Sequence, residues 1–329
     1  MTTSRTVVLT GASAGIGRAA AILFARRGYR VALLARSPEG LEGACNDVRA
    51  AGGTALPIVT DVADHAQVEA AAARVEQEFG AIDVWVNNAM ATIFCPLKDI
   101  SPEDFERATR VTYLGAVWGT MAALRRMTPR NRGIIVQVGS ALAYRSIPLQ
   151  APYCGAKSAL RGFTDSVRSE LIHDQSQVRI TMVQLSAFNT PQFDWGRTCS
   201  DKQPQPVPPI FQPELAAEVI LLAAEHPRRE LWVGFPAVKA ILGTRLVPGL
   251  LDHLLAKMAY SGQFTDQPLP PGRKDNLYHP APGDRGAHGR FDDRAKPSSL
   301  QFRLTAHRNA VITAVLLMLF LILAVVIAD

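Results

Sequence analysis

The chain has little cysteine and no paired cysteine motif. Its four cysteines, Cys45, Cys95, Cys154 and Cys199, form no CxxC pair, and its seven histidines show no metal-ligand spacing. A disulfide framework and a metal site are therefore not expected, and a reducing compartment fits. Residues Met1 to Thr6 carry no apolar signal region and run straight into a strand pattern, so no cleaved targeting peptide is expected. The formal charge of +6 is not gathered into one basic stretch, and no RNA- or DNA-binding motif accompanies it. That argues against nucleic acid as a partner. Charged residues make up only 19% of the 329 positions against 48% hydrophobic, the balance of a globular protein with a sizeable core.

What is present is a strict alternation. Strand-like apolar runs are expected at Thr6–Leu9, Arg30–Leu34, Ala55–Thr60, Ile82–Asn87, Gly133–Val138, Val178–Leu185 and Leu231–Val233. Helical patterns lie between them at Gly15–Arg27, Glu39–Ala51, Gln67–Phe79, Pro102–Met127, Ala151–Asp174 and Pro213–Glu225. This order predicts an α/β fold, a Rossmann-type doubly wound parallel sheet of about seven strands with right-handed crossovers and helices on both faces. Continuous apolar runs such as Val7-Val8-Leu9 and Ile134-Ile135-Val136 suit a sheet covered on both sides.

Residues 1–235 form this unit, and the pattern changes after it. Residues 236–261 hold two apolar pieces broken by Pro248 and Gly249. They read equally as an extension packed on the domain or as a lid, a dimer contact or a membrane-facing patch. Residues 262–309 carry six prolines and five glycines with few apolar residues, the composition of a linker. Asn276-Leu277-Tyr278 and Gly289-Arg290-Phe291 are candidate anchors within it. Residues 310–328 are nineteen positions without charge, proline or glycine, long enough for a single-pass C-terminal transmembrane helix. Lys296, Arg303 and Arg308 precede it and only Asp329 follows, which places the N-terminal domain on the cytoplasmic side of that membrane.

The first βα turn reads Thr10-Gly11-Ala12-Ser13-Ala14-Gly15-Ile16-Gly17. Glycines at this spacing let the turn close, let backbone approach a pyrophosphate and let helix pack near strand, while the helix N-terminus offers N–H groups to the phosphates. The same spacing can serve a tight turn alone, but its place after the first strand points to a dinucleotide. At the end of the second strand an NAD site usually has an acid for the ribose 2′-hydroxyl. Here the chain reads Leu33-Leu34-Ala35-Arg36-Ser37, with no acid. Arg36 can pair a 2′-phosphate through its planar fork, with Arg18 assisting, so NADP(H) is favoured over NAD(H).

Tyr153 and Lys157 stand four apart at the start of a helix and so share one face. A lysine ammonium beside a phenol favours phenolate and draws the tyrosine pKa toward neutrality. Such a tyrosine can give a proton to a carbonyl oxygen as hydride arrives, or remove it in reverse. Ser140, thirteen residues before Tyr153 at the end of the fifth strand, can hold the same oxygen.

These motifs together resemble the short-chain dehydrogenase/reductase family, in its single-domain branch, over residues 5–235. The resemblance rests on the glycine turn, on Asp61-Val62 after the third strand, on Asn87-Asn88-Ala89 after the fourth, and on Ser140, Tyr153 and Lys157. It implies a cofactor site made by Gly11, Ser13, Gly15, Ile16, Gly17, Arg36, Asp61, Val62, Asn88, Ala89, Tyr153, Lys157 and Thr190. It implies Tyr153 as acid/base, Ser140 as the substrate-orienting hydroxyl, and Lys157 as the group that tunes Tyr153 and bonds the nicotinamide ribose. It also implies a homodimer or tetramer paired through the fourth and fifth helices.

Three positions depart from the family pattern. Met90 follows Asn-Asn-Ala where glycine is frequent, and Leu185-Ser186 replaces Pro-Gly. Thr112 stands where the family has an asparagine that helps place a proton-relay water, and it is a catalytic candidate on that ground. The substrate pocket is expected around Met90, Ile93, Phe94, Leu142, Tyr144, Ile147, Leu149, Phe188, Phe193 and Trp195, an apolar lining that suits a lipophilic aldehyde, ketone or alcohol. The alternative reading is a catalytically weak or inactive NADP(H)-binding protein tethered to the membrane. A third is an oxidative dehydrogenase using NAD.

Overall fold

In a computed structural model of the chain, residues 4–309, 311–313 and 316–317 are described. Seven parallel strands form the central sheet: β1 (Thr6–Thr10), β2 (Arg30–Ala35), β3 (Thr54–Val59), β4 (Val84–Asn87), β5 (Ile134–Ser140), β6 (Arg179–Leu185) and β7 (Glu230–Trp232). Their order is β7-β6-β5-β4-β1-β2-β3, so the chain winds outward in one direction from β1 and then returns to wind in the other. The doubly wound sheet expected from the alternation is therefore present, and the reversal between β1 and β4 creates the crevice where such sheets bind ligands.

Residue alternation along the strands assigns each face. Val7 and Leu9 of β1, with Val31 and Leu33 of β2, enter one core against helices α1 (Gly15–Arg26), α2 (Pro38–Ala50) and the later Pro213–Glu225. Val8, Ala32 and Leu34 enter the opposite core with α3 (His65–Phe79) and the helices of residues 102–127. Local chemistry sets several helix starts. Ser37 accepts from the Gly40 N–H, Asp64 from Ala66 and Gln67, and Ser101 from Asp104. Pro38 and Pro102 occupy first-turn positions where no N–H is needed.

The long helix expected over Pro102–Met127 is present and carries a π-turn within it. It runs as α4 (Pro102–Thr109), a π-turn at Arg110–Leu114, and α5 (Gly115–Met127). The π-turn turns Thr112 toward the loop after β4, where its hydroxyl both donates to the Ala91 carbonyl at 3.0 Å and accepts from the Ala91 N–H at 2.9 Å. Insertions of this type collect at functional sites. Helix α6 (Ala151–His173) follows β5, and α7 (Pro213–Glu225) lies against α1.

Residues 236–261 fold as α8 (Phe235–Leu246) and α9 (Pro248–Gly262). Ala237, Ile241 and Ala259 are buried, whereas Leu246, Leu250 and Met258 are more than half exposed. The segment 262–309, expected to be a linker, is instead laid across the domain. Phe264–Pro268 pairs antiparallel with Lys202–Pro204, and Ala295–Lys296 pairs with Ile210–Phe211. Leu277, Phe291 and Phe302 are buried, the first and last within the two main cores. Its composition is too polar to build a core of its own, but three apolar residues suffice when the domain supplies the other wall. Both candidate anchors are used.

Among the described residues no helix is long and apolar enough to cross a membrane. Most of the expected span 310–328 lies outside the described residues.

Candidate active site

The glycine turn is shaped by approach distances. Gly11 and Gly15 adopt φ of +66° and +58°, and a Cβ on Gly11 would sit 2.9 Å from the Ala89 Cα. A Cβ on Gly17 would lie 2.2 Å from the Gly11 carbonyl oxygen, so Gly17 sets how closely α1 meets β1. Asn88 locks the same turn from β4, its Nδ2 donating to the Thr10 carbonyl at 2.9 Å, while Thr10 Oγ1 accepts from the N–H groups of Asn88 and Ala89. Unlike α2, α3 and α4, α1 has no side-chain cap, and its first turn holds no acid. The Gly15 N–H donates to the Gly286 carbonyl at 3.0 Å, and the rest of the first turn, with the dipole end, is left without a side-chain acceptor, an arrangement that favours an anion.

One pocket gathers nearly all of the expected cofactor residues. Gly11, Ser13, Gly15, Ile16, Arg36, Asp61, Val62, Asn88, Ala89 and Thr190 line it, with Leu34 and Val111 as apolar walls. Gly17, Tyr153 and Lys157 are not among its lining residues. The pocket's donor set, with hydroxyls and a helix end free of side-chain caps on one side and aliphatic walls on the other, fits a dinucleotide. Residues of the C-terminal segment also line the pocket: Asn276, Pro280, Ala281, Gly283 and Arg285. Sequence reasoning missed them because a Pro/Gly-rich composition reads as linker.

Arg36 and Arg18 are placed differently from expectation. Arg36 Nη1 donates to the carbonyls of Leu277 at 3.1 Å and Tyr278 at 3.0 Å, and Nη2 donates to that of Asn276. The fork expected to grip a 2′-phosphate holds three backbone carbonyls, and burial lowers its pKa. Arg18 is buried between Asp47, at 2.7 Å, and Asp284. Asp61 pairs with Arg107 at 2.6 Å, and Arg107 Nε donates to the Leu277 carbonyl.

A second cluster forms at the carboxyl end of β5. Ser140 Oγ accepts from the Leu142 N–H at 3.1 Å and lies close enough to the Tyr153 phenol to pull its pKa downward, and Lys157 Nζ lies 5.6 Å from the centre of the Tyr153 ring. Tyr153 and Lys157 thus share a helix face as their spacing requires. The expected depression of the tyrosine pKa is absent. Burial pushes Tyr153 up to about 12, with Ser140 only partly offsetting it. Burial likewise pulls Lys157 down to about 8. The physical reason is that the ammonium donates to the Val138 carbonyl at 2.6 Å, while desolvation penalises both charged forms. Thr112 is buried and its hydroxyl is wholly engaged with Ala91, so the side chain secures the loop after β4.

A family profile of short chain dehydrogenases matches residues 5–196. The chain belongs to the short-chain dehydrogenase family. This dehydrogenase is 33% identical over 310 residues to the uncharacterized oxidoreductase YxnA of Bacillus subtilis, covering 94% of this chain and 86% of that protein. It is 28% identical over 266 residues to dehydrogenase/reductase SDR family member 7B of Bos taurus, covering 77% and 81%. Among solved structures, a metagenomic short-chain oxidoreductase in complex with NADP superposes with a TM-score of 0.60 at 28% identity, covering 70% of this chain and 96% of that one. An alcohol dehydrogenase from Thermococcus sibiricus complexed with 5-hydroxy-NADP does so with a TM-score of 0.59, also at 28% identity and with the same coverage.

The substrate side of this short-chain dehydrogenase differs from expectation in two respects. Ile93, Phe94, Leu149, Phe188 and Phe193 are buried, and Phe94 and Phe193 pack with Ile210 and Phe291 in a small core of their own. Met90 and Trp195 line the pocket, whereas Tyr144 donates to Glu230 at 2.9 Å. Cys95 and Cys199 form a disulfide that sequence spacing did not suggest. Ile93–Phe94 and Arg197–Thr198 pair in parallel, so the residue following each pair meets its partner across a separation of 104 positions. The cysteine content therefore no longer argues for a reducing compartment. Among the described residues no cluster of metal-binding side chains occurs.

Proposed function

We propose that this short-chain dehydrogenase is an NADP(H)-dependent oxidoreductase that interconverts a lipophilic aldehyde or ketone and its alcohol. The observation that carries the proposal is the Ser140, Tyr153 and Lys157 cluster at the carboxyl end of β5, the strand that adjoins the nucleotide-side strand β4. A bound nicotinamide supplies or accepts the hydride. Tyr153, with its pKa about 12, keeps its proton through the neutral range and can deliver it to a carbonyl oxygen as negative charge develops there. Ser140 holds that oxygen. Lys157, cationic below about pH 8, places positive charge beside the phenolate left behind. Thr190 lies against the glycine turn, 3.3 Å from where a Gly15 Cβ would stand, which supports its contact with the bound cofactor.

Met90 and Trp195 support an apolar substrate. The uncharged run 310–328 supports a membrane anchor; the basic residues Lys296, Arg303 and Arg308 favour the cytoplasmic side for the catalytic domain, and the Cys95–Cys199 disulfide favours an oxidising one. A homodimer or tetramer paired through α4–α5 and α6 belongs to the same reading. The test is NADPH oxidation by the full chain in detergent against a panel of long-chain and aromatic aldehydes and ketones, with NADH in parallel. Turnover with NADPH exceeding that with NADH is expected. Tight nucleotide binding with no turnover on any substrate would replace the enzyme by a tethered binding protein.

A further inference from the structure

The C-terminal segment crosses the mouth of the nucleotide crevice, and its attachments fall on both banks. On the β2 side, Arg36 holds the carbonyls of residues 276–278, Arg107 holds that of Leu277, and Glu39 accepts from the Gly283 N–H. Asp284 pairs with the buried Arg18, its carboxylate filling the space beside Gly43 of α2. At the glycine turn, Gly15 N–H donates to the Gly286 carbonyl at 3.0 Å. On the opposite bank, the Gly289 N–H donates to the Asn189 carbonyl, next to Thr190, and Phe291 N–H donates to Asn189 Oδ1 at 3.0 Å. A segment needed only as a spacer has no reason to pair an aspartate with a buried arginine and bridge the two sides of a binding crevice.

The charges along this path are unevenly used. Arg18 and Arg36, the two cations expected at the phosphate groups of the nucleotide, are both spent on holding the segment. Arg285 is different. It lines the pocket, its side chain is exposed, and its one hydrogen bond among the described residues runs from Nε to the Pro282 carbonyl at 2.9 Å. It stands between Asp284, fixed to α1, and Gly286, fixed to the glycine turn. An arginine held at both flanks, with its terminal nitrogens turned to no acid, is preorganised for an oxyanion.

We propose that residues 276–286 are a strap belonging to the nucleotide site, closing the adenosine half of the crevice and presenting Arg285 to the phosphate groups of the bound nucleotide. This rests on the NADP(H) reading above and extends it. The strap gives the site the cation that Arg36 cannot supply while its fork holds backbone carbonyls. It also makes nucleotide release depend on the Arg18–Asp284 latch, because the nucleotide cannot leave past a strap tied to both banks.

The test uses the full chain in detergent, with equilibrium binding of NADPH and NADH and stopped-flow dissociation of each. Arg285→Ala removes an exposed side chain and should leave the melting temperature in place while weakening NADPH roughly tenfold or more. A loss confined to NADPH assigns Arg285 to the 2′-phosphate, and an equal loss for NADH assigns it to the pyrophosphate. Asp284→Asn keeps Arg285 but loosens the latch, and should raise the NADPH dissociation rate severalfold. Wild-type binding matched by both variants in affinity and release rate would overturn the strap's role while leaving the NADP(H) reading intact. Tighter binding on loosening the latch would overturn it also, by showing that the strap competes with the nucleotide. Failure of the wild-type chain to bind either nucleotide would remove the NADP(H) reading itself, and the strap's role with it.

Discussion

Lys157 Nζ stands 5.6 Å from the centre of the Tyr153 ring and donates its proton to the Val138 carbonyl at 2.6 Å. The lysine is therefore positioned by main chain, and its charge is set by burial. With its pKa drawn down from 10.5 to about 8, it loses its proton within the working range of most assays. The rate of carbonyl reduction is expected to fall as pH rises through about 8, and Lys157→Arg, which stays charged, should move that fall upward. A kcat-against-pH profile of both proteins checks it.

The same two residues affect stability with opposite signs. Between about pH 8 and 10.5 the unfolded chain holds the Lys157 proton and the folded chain does not, so this group makes the fold more stable as pH rises. For Tyr153, between about 10 and 12, the folded chain keeps the proton longer, so stability falls with rising pH. Denaturant melts of wild type and Lys157→Met from pH 7 to 10 should show the first slope only in the wild type.

Arg36 holds three carbonyls of the strap. Arg36→Ala is expected to cost about 1–3 kcal/mol, the usual penalty for leaving partly buried acceptors without a donor. If the fork's work is structural, NADPH and NADH affinity should decline together, with little change in their ratio. Thermal unfolding and paired binding titrations distinguish this from a role confined to the 2′-phosphate, which would change the ratio alone.

Gly17→Ala would place a methyl group 2.2 Å from the Gly11 carbonyl oxygen. Backbone cannot move aside as a side chain can, so α1 must shift from β1. A loss of about 1–3 kcal/mol is expected, with nucleotide binding lost along with the turn geometry. Chemical denaturation and NADPH titration measure the two effects.

The Cys95–Cys199 bridge closes a loop across 104 positions. Chain-entropy reasoning places its contribution at roughly 4–5 kcal/mol for a loop of this size. The double variant Cys95→Ser, Cys199→Ser should unfold at lower denaturant, and treatment with reductant should reproduce that shift in the wild type only.

The alternation of apolar runs made the sheet legible, because strand and helix periods are local properties and their strict order leaves one architecture. Gly11, Gly15, Asn88, Asp61 and Thr190 were legible for a similar reason: the turns after successive strands must meet at the point where strand order reverses. Relationships between distant segments were not legible. Arg36 and Arg18 are the right residue type in the right place for a phosphate, but the strap groups they hold lie some 240 to 270 positions away and appear only in the folded chain. Thr112 could not reveal that Ala91 takes its hydroxyl, and two cysteines 104 positions apart carry no pairing signal. Leu277 and Phe291 were legible as anchors, but buried apolar residues as sparse as Leu277, Phe291 and Phe302 give no periodicity, so the path of the segment across the crevice was not.

The most direct measurement compares wild type and Tyr153→Phe in two assays on the same preparations: NADPH affinity by titration, and NADPH oxidation with the best carbonyl substrate from the panel. The phenyl ring preserves packing and removes only the proton donor. Turnover reduced by roughly 10²–10⁴-fold, with NADPH affinity nearly unchanged, is the expected result. Turnover near the wild-type rate would contradict the assignment of Tyr153 as the acid, and with it the reading of the Ser140, Tyr153 and Lys157 cluster as the catalytic centre.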